Sequence, residues 1–324
     1  MKHHIFYLLI AAFCTASCDN LIRNPQGAVV DERDTMASAP PETVPQQQEE
    51  TAMNDSDPHP DLIGFWVGYF LNAADDDYYE KSVYGDEGLS WGRENKINIS
   101  IDEIHQGRVK GHSVVAGNNR PFAGTMTQEG NQFIFEVAEP GDDRYDGRFS
   151  FHIQKNDDKL TGTWNAYKKI DIPTRKYELQ KKRFQYDPEL MLEPSRRYGD
   201  WGKAKKTAIE DEEEREAFGD FYVQFEAATD KVYEVNASTT LLTKKDVENL
   251  KKGDLLIIRN TIYARHGYSF KNRPLRVFFD AQPWYIPVHT DIRSDFTELE
   301  KKNIELLLRY EKNAKVYYDT FGRG

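Results

Sequence analysis

The residues of this chain best equipped for chemistry stand together near its C-terminal end, as Tyr263-Ala264-Arg265-His266-Gly267. A histidine can move protons near neutral pH, so His266 invites an acid–base reading. A histidine next to an arginine tends to stay neutral, because the neighbouring cation disfavours a second charge. Catalysis would also need an orienting carboxylate and a nucleophile, and the chain has no Gly-x-Ser-x-Gly elbow or comparable motif. A structural use suits the residues better. Arg265 would pair with a carboxylate such as Glu300, while Asn260 and Asn303 cap buried backbone groups. Such a network, once satisfied, fixes how helices and loops dock. Recognition of a ligand or of peptidoglycan is the third use open to the same side chains.

Other chemistries find less support. There is no His-Glu-x-x-His and no cysteine pair, so no metal site is expected. Asp75-Asp76-Asp77 and Asp142-Asp143 lack the alternating spacing and glycine of a calcium loop and read as solvated loop charges. No cofactor motif stands out. The two cysteines, Cys14 and Cys18, both fall within the first eighteen residues, which leaves the rest of the chain without a disulfide or a thiol nucleophile. A net charge of −11, with the charges scattered, argues against a nucleic-acid partner, since phosphate contacts need clustered Lys and Arg.

The elements that must position these residues begin with an export signal. Lys2, His3 and His4 precede the apolar run Ile5–Phe13 and then small residues, a run too short to span a bilayer. Thr15-Ala16-Ser17-Cys18 resembles a bacterial lipobox, with Thr15 where Leu is usual. The resemblance implies removal of residues 1–17 and acylation of Cys18, palmitate included. The protein is then a lipoprotein held at a membrane of the cell envelope, with the outer membrane as the expected site. Residues 18–60 are rich in Pro, Gln, Glu, Ser and Ala and read as a disordered tether.

From residue 61 to 186 the pattern has period two: Ile97, Ile99 and Ile101; Phe133, Phe135 and Val137; Phe149, Phe151 and Ile153. Turn signals divide the segment into eight strands, near 63–71, 95–103, 108–116, 120–127, 132–138, 145–154, 159–167 and 176–184. Short connections imply an antiparallel meander, and eight strands close well into a barrel with one face inward. Gly64-Phe65-Trp66 resembles the Gly-x-Trp signature of the lipocalin and calycin superfamily, and Leu160-Thr161-Gly162-Thr163-Trp164 resembles a pattern of bacterial lipocalin-like domains. That resemblance implies a basic residue on the last strand covering Trp66, and Arg183 is the position it points to. Phe122, Phe133, Phe135, Phe149, Phe151 and Trp164 have inward phase, so the interior is either a packed core or a site for one hydrophobic small molecule.

Residues 187–237 are less defined, with a solvated helix expected over Lys206–Phe218 and a hairpin joining Phe221–Phe225 to Val232–Val235. Residues 238–314 are richer in signals. Thr243 with Asp246 caps a short helix, a second helix runs from Asp254 to Gly267, and Thr297 with Glu300 opens the last. The string 263–267, with Arg259-Asn260-x-Ile262, Trp284-Tyr285-x-Pro287 and Glu300-x-x-Asn303-Ile304, resembles the YARHG domain family. The resemblance implies a small, mainly α-helical domain of envelope proteins.

The expected whole is a multidomain α+β protein, an eight-stranded antiparallel lipocalin-like β-barrel followed by a small mainly α-helical YARHG domain. The expected role is non-enzymatic binding or assembly at the envelope, with a membrane through the lipid anchor and an envelope protein or glycan as partners. A carrier of a hydrophobic small molecule and, less favoured, an envelope hydrolase using His266 are the alternatives.

Overall fold

A computed structural model describes residues 59–74 and 94–314. Cys18, the signal, the tether up to residue 58 and Asp75-Asp76-Asp77 lie outside the described residues.

Eight strands form a closed antiparallel barrel: β1 Gly64–Asn72, β2 Asn95–His105, β3 Arg108–Val115, β4 Asn118–Glu129, β5 Gln132–Ala138, β6 Gly147–Gln154, β7 Lys159–Ala166 and β8 Thr174–Lys182. Each pairs with its sequence neighbours, and β8 returns to β1 with Trp66 opposite Lys181. The alternation that marks the strands also fills the barrel. Trp66, Phe70, Ile97, Ile99, Phe135, Phe149, Phe151 and Trp164 are buried inside one apolar cluster. Phe135 and Phe151 stack at 4.6 Å and anchor its centre.

One barrel end is stoppered by the turn before β1, where Leu62 is buried and its carbonyl accepts the Trp66 indole N–H at 3.0 Å. The cation over Trp66 is Lys181 rather than the expected Arg183. Lys181 Nζ lies 4.6 Å from the ring centroid and donates to the carbonyls of Asp61 and Ile63. Arg183 falls one residue past the end of β8 and is exposed. Strand register decides between them, because Lys181 is the residue directly opposite Trp66.

The middle segment differs from expectation. Residues Gly199–Ala208 form β9, which pairs antiparallel with β10, Phe221–Ala227, so the expected helix is confined to α1, Glu212–Phe218. Asp211 caps α1, its side chain accepting the Glu214 N–H. The second hairpin strand expected over Val232–Val235 does not form; Asp230–Tyr233 make a 3-10 turn that buries Val232.

The C-terminal region is helical: α2 Lys244–Val247, α3 Lys252–Arg265, α4 Arg273–Asp280 and α5 Glu298–Asn313. Thr243 with Asp246 and Thr297 with Glu300 form the expected capping boxes. Helix α3 starts before Asp254, which is its N3 residue and accepts the Lys251 N–H. Helix α4 carries no expectation from the pattern and has Pro274 in its first turn. Proline is tolerated in a first turn, and Asn272 caps this one through the Leu275 N–H. Helices α3 and α5 pack on each other, with Leu255, Ile258, Ile262 and Leu307 buried.

Lys181→Ala is expected to lower stability by about 1–2 kcal/mol in urea unfolding, since it removes two carbonyl hydrogen bonds and a cation over an indole. Arg183→Ala should stay within about 0.5 kcal/mol, as exposed substitutions usually do.

Candidate functional site

The residues that drew attention in the sequence cluster at the C-terminal end of α3. Tyr263 is buried, and its carbonyl accepts the Tyr268 N–H at 3.1 Å. Gly267 has a φ of +70°, and a Cβ there would stand 2.9 Å from the Phe184 ring. The Gly267 carbonyl accepts the N–H groups of both Val288 and His289, tying the α3 terminus to the strand-like segment beyond α4.

Arg265 and Glu300 do not pair. Arg265 Nε donates to the Leu190 carbonyl at 2.8 Å and Nη1 to Ser238 Oγ at 3.0 Å. The Glu300 carboxylate serves His266 instead, with Nε2 and Oε2 2.9 Å apart. Glu300 also accepts the Tyr186 hydroxyl at 3.0 Å and the Thr297 N–H at 2.9 Å. Burial pushes its carboxyl up, and the bonds from His266 and Thr297 outweigh that and hold it below the usual range. An ionised Glu300 requires the proton of His266 on Nε2, pointing at Oε2. The imidazole lies between the Tyr186 ring, stacked at 4.2 Å, and the Phe296 edge at 5.3 Å. Burial and the Glu300 charge push the Tyr186 hydroxyl up to about 12, so it remains a donor.

Asn303 is fully buried and satisfied on both sides. Its Oδ1 accepts the Leu242 N–H, and its Nδ2 donates to the carbonyls of Ala237 and Thr240. Asn260 Nδ2 donates to the Leu256 carbonyl within α3. Trp284 Nε1 reaches the Met191 carbonyl at 2.9 Å, and Gln282 exchanges two bonds with the Glu193 backbone. Arg265, Gln282 and Trp284 thus grip residues 190–193, the chain leaving the barrel. Arg259, buried against α5, forms a two-pronged pair with Glu311.

From Asn95 to Ile101 strand β2 is buried on both faces, although its alternation implies one wet face; Asp102, Glu103 and His105 at its end are exposed. Its outward residues Lys96, Asn98 and Ser100 are buried, and Lys96 lies against the helical region. Lys96 Nζ donates to the carbonyls of Gln282 at 2.8 Å and Tyr285 at 3.1 Å and lies 5.5 Å from the Tyr285 ring. The Lys96 N–H donates to Asp280 Oδ2 at 2.8 Å, and Tyr69 on β1 donates its hydroxyl to the Asp280 carbonyl. Burial pulls Lys96 down to about 8 and pushes Asp280 up to about 6. Nearby, the Gly117 N–H donates to Ser269 Oγ at 2.9 Å, and a Cβ at Gly117 would collide with Lys271. Tyr285 Oη donates to the Tyr268 carbonyl at 2.6 Å beneath this seam.

Lys96, Asp280, Tyr186, Ser238 and Glu311 escape sequence reasoning because they are partners brought in from other elements, and none carries a motif. The barrel residues Gly64 and Trp66 lie at the stoppered end, whereas Trp164 lies at the other, where its indole donates to Glu139 Oε2. There a cavity of about 410 Å³ opens above Phe70, Phe149 and Trp164. Arg183, Tyr186, Arg265 and Trp284 line another, of about 520 Å³. Among the described residues no group of three or more His, Cys, Asp or Glu side chains could hold a metal, and no helix is long and apolar enough to cross a membrane.

Residues 231–312 match the YARHG domain family, so the helical region following the barrel carries a YARHG domain. The match begins at the 3-10 turn, slightly before the stretch marked by motifs alone. Neither the curated proteins nor the solved structures contain a match to the chain.

Two outcomes follow. His266→Ala should cost about 2–4 kcal/mol in chemical denaturation, since it empties a stacked site and leaves a buried carboxylate short of a donor; His266→Gln, able to donate again, should recover part of this. For Asp280 the folded pKa lies above the unfolded one. Its stabilisation is therefore complete below about pH 4 and lost as pH rises through about 6. Relative to Asp280→Asn, the natural chain should lose on the order of 2–3 kcal/mol between pH 4 and pH 7, measured by urea titrations.

Proposed function

We propose that this protein is a lipid-anchored component of the bacterial cell envelope, acylated at Cys18, with a non-enzymatic binding or assembly role. The observation that carries the reading is how the distinctive YARHG side chains are used. Arg265, His266, Glu300, Asn303 and Tyr285 are buried and spend their polar groups on their own domain, the chain leaving the barrel or the barrel itself. They hold a rigid head together, and partner contacts fall to surfaces elsewhere. Phe218, Phe221 and Tyr222, on α1 and β10, remain exposed and supply apolar surface for a protein partner in the envelope. A glycan partner is the other occupant consistent with this reading.

A lipocalin-type carrier role is the second reading, favoured by the Gly64-x-Trp66 corner under Lys181 and by the cavity above Trp164. The barrel interior below that cavity is packed with aromatic side chains, so ligand room is confined to one end. The hydrolase reading draws no support from geometry: His266 Nε2 is directed at Glu300, and the nearby Ser238 Oγ accepts from Arg265.

Cys18→Ser should abolish labelled-palmitate incorporation and shift the protein from the membrane to the soluble fraction. Crosslinking in intact envelopes should retain a specific partner that Phe221→Ser with Tyr222→Ser weakens at unchanged melting temperature. Recovery of no partner with several crosslinkers would remove the binding reading.

A further inference from the structure

Strand β8 hands the chain on to a segment that outruns both of its neighbours. The register partners end at Gln180 on the β7 side, opposite Lys159, and at Lys182 on the β1 side, opposite Phe65. Residues 183–187 continue past both as an overhang. Arg183, Gln185 and Asp187 are exposed, while Phe184 and Tyr186 between them are half-buried. The Phe184 ring stands edge-on to His289 at 5.7 Å, and Tyr186 stacks on His266, so both turn toward the YARHG domain. Alternation of this kind is that of a strand. Pro188 reinforces the extended path, since the residue before a proline is turned away from helix.

An extended backbone has hydrogen bonds to give on its two edges, and here they are unspent. Among the described residues no backbone N–H or C=O of residues 183–187 has a hydrogen-bond partner. Such an edge is a template for a further extended chain. The cleft of about 520 Å³ lies against this overhang, with Ala264, Trp284 and Ile286 in its lining. Its cations are not ion-paired among the described residues. Arg183 is exposed and makes no such pair. Arg265, only 2% exposed, gives Nε to Leu190 and Nη1 to Ser238, and its Nη2 has no acceptor. The carboxylate in the lining, Asp187, turns Oδ1 to the Glu189 N–H.

We infer that the overhang and its cleft bind an extended acidic segment of a partner protein. The segment adds as a strand along residues 183–187, sets an apolar side chain against Trp284 and Ile286, and turns a carboxylate to Arg183. Backbone pairing supplies attraction that any extended chain can use, and the cleft and the cations supply choice. Arginine suits the carboxylate because its planar fork offers two parallel N–H donors. The inference rests on the non-enzymatic binding reading and assigns the contact to residues other than Phe221 and Tyr222.

Hydrogen exchange and fluorescence anisotropy on the chain from Asp19 to Gly324 test it, with an acetylated, amidated peptide of four Val-Glu repeats as the probe. The amides of Gln185, Tyr186 and Asp187 should exchange freely in the chain alone and at least tenfold more slowly at saturating peptide. A peptide of four Val-Lys repeats should bind at least tenfold more weakly. The same loss is expected for a Val-Glu peptide methylated on every backbone nitrogen, which has no N–H to give. Arg183→Gln should weaken the Val-Glu peptide threefold or more at unchanged melting temperature, whereas Phe221→Ser with Tyr222→Ser should leave its affinity unchanged. No binding of the Val-Glu peptide, or equal binding by the lysine peptide, the methylated peptide or the Arg183 variant, would overturn the inference. Slow exchange of those amides before any peptide is added would overturn it too, since the edge would then be occupied within the chain. So would protection by a tetramer of N-acetylglucosamine in place of the peptide, which would give the cleft to a glycan. A crosslinked partner that depends on Phe221 and Tyr222 survives each of these outcomes, so this site and the binding reading fail separately.

Discussion

A lysine ammonium shut away from water must be supplied with oxygen atoms by the protein, and the Lys96 seam shows how much structure that requirement commits. Nζ takes the carbonyls of Gln282 and Tyr285, so the loop after α4 must hold one shape. That shape is fixed in turn by Gln282 on the Glu193 backbone, Trp284 on Met191 and Tyr285 on Tyr268. A buried charge lacking such partners would cost several kcal/mol. Asp280, one turn away, takes the Lys96 N–H and is itself reluctant to ionise. The barrel and the YARHG domain are coupled through these few contacts.

Much of the remaining architecture follows from that coupling. The first part of strand β2, Asn95–Ile101, has no wet face where the helical domain packs on Lys96. The barrel-exit chain is gripped by Arg265, Gln282 and Trp284, so residues 190–193 cannot behave as a slack connector. The same docking carries Arg273 and Arg276 to the barrel mouth. The YARHG string reads as a set of fittings: Gly267 for a turn a side chain would block, His266 for Glu300, Arg265 for the exit chain.

Periodic features were legible in the sequence and relational ones were not. All eight barrel strands follow from alternation and turn residues, and β2 to β8 each meet a neighbour across a short connection. Capping boxes at Thr243 and Thr297 are equally local. Strand β9 was hidden because Lys205 and Lys206 lack apolar alternation and the strand is defined by pairing with β10. The choice between Lys181 and Arg183 depends on register across the β8–β1 closure, which no local pattern encodes. Charge alone would match Arg265 to Glu300, whereas geometry gives that carboxylate to His266 and hands Arg265 a carbonyl and a hydroxyl.

Native-state hydrogen exchange tests the coupling most directly. If the Lys96 seam unites the two domains, the core amides of α3, such as Ile258, will exchange with the same free energy and denaturant dependence as barrel amides such as Ile99, and the Lys96 and Gly117 amides will join them. Exchange of α3 through a separate, lower-energy opening while the barrel stays protected would contradict the account.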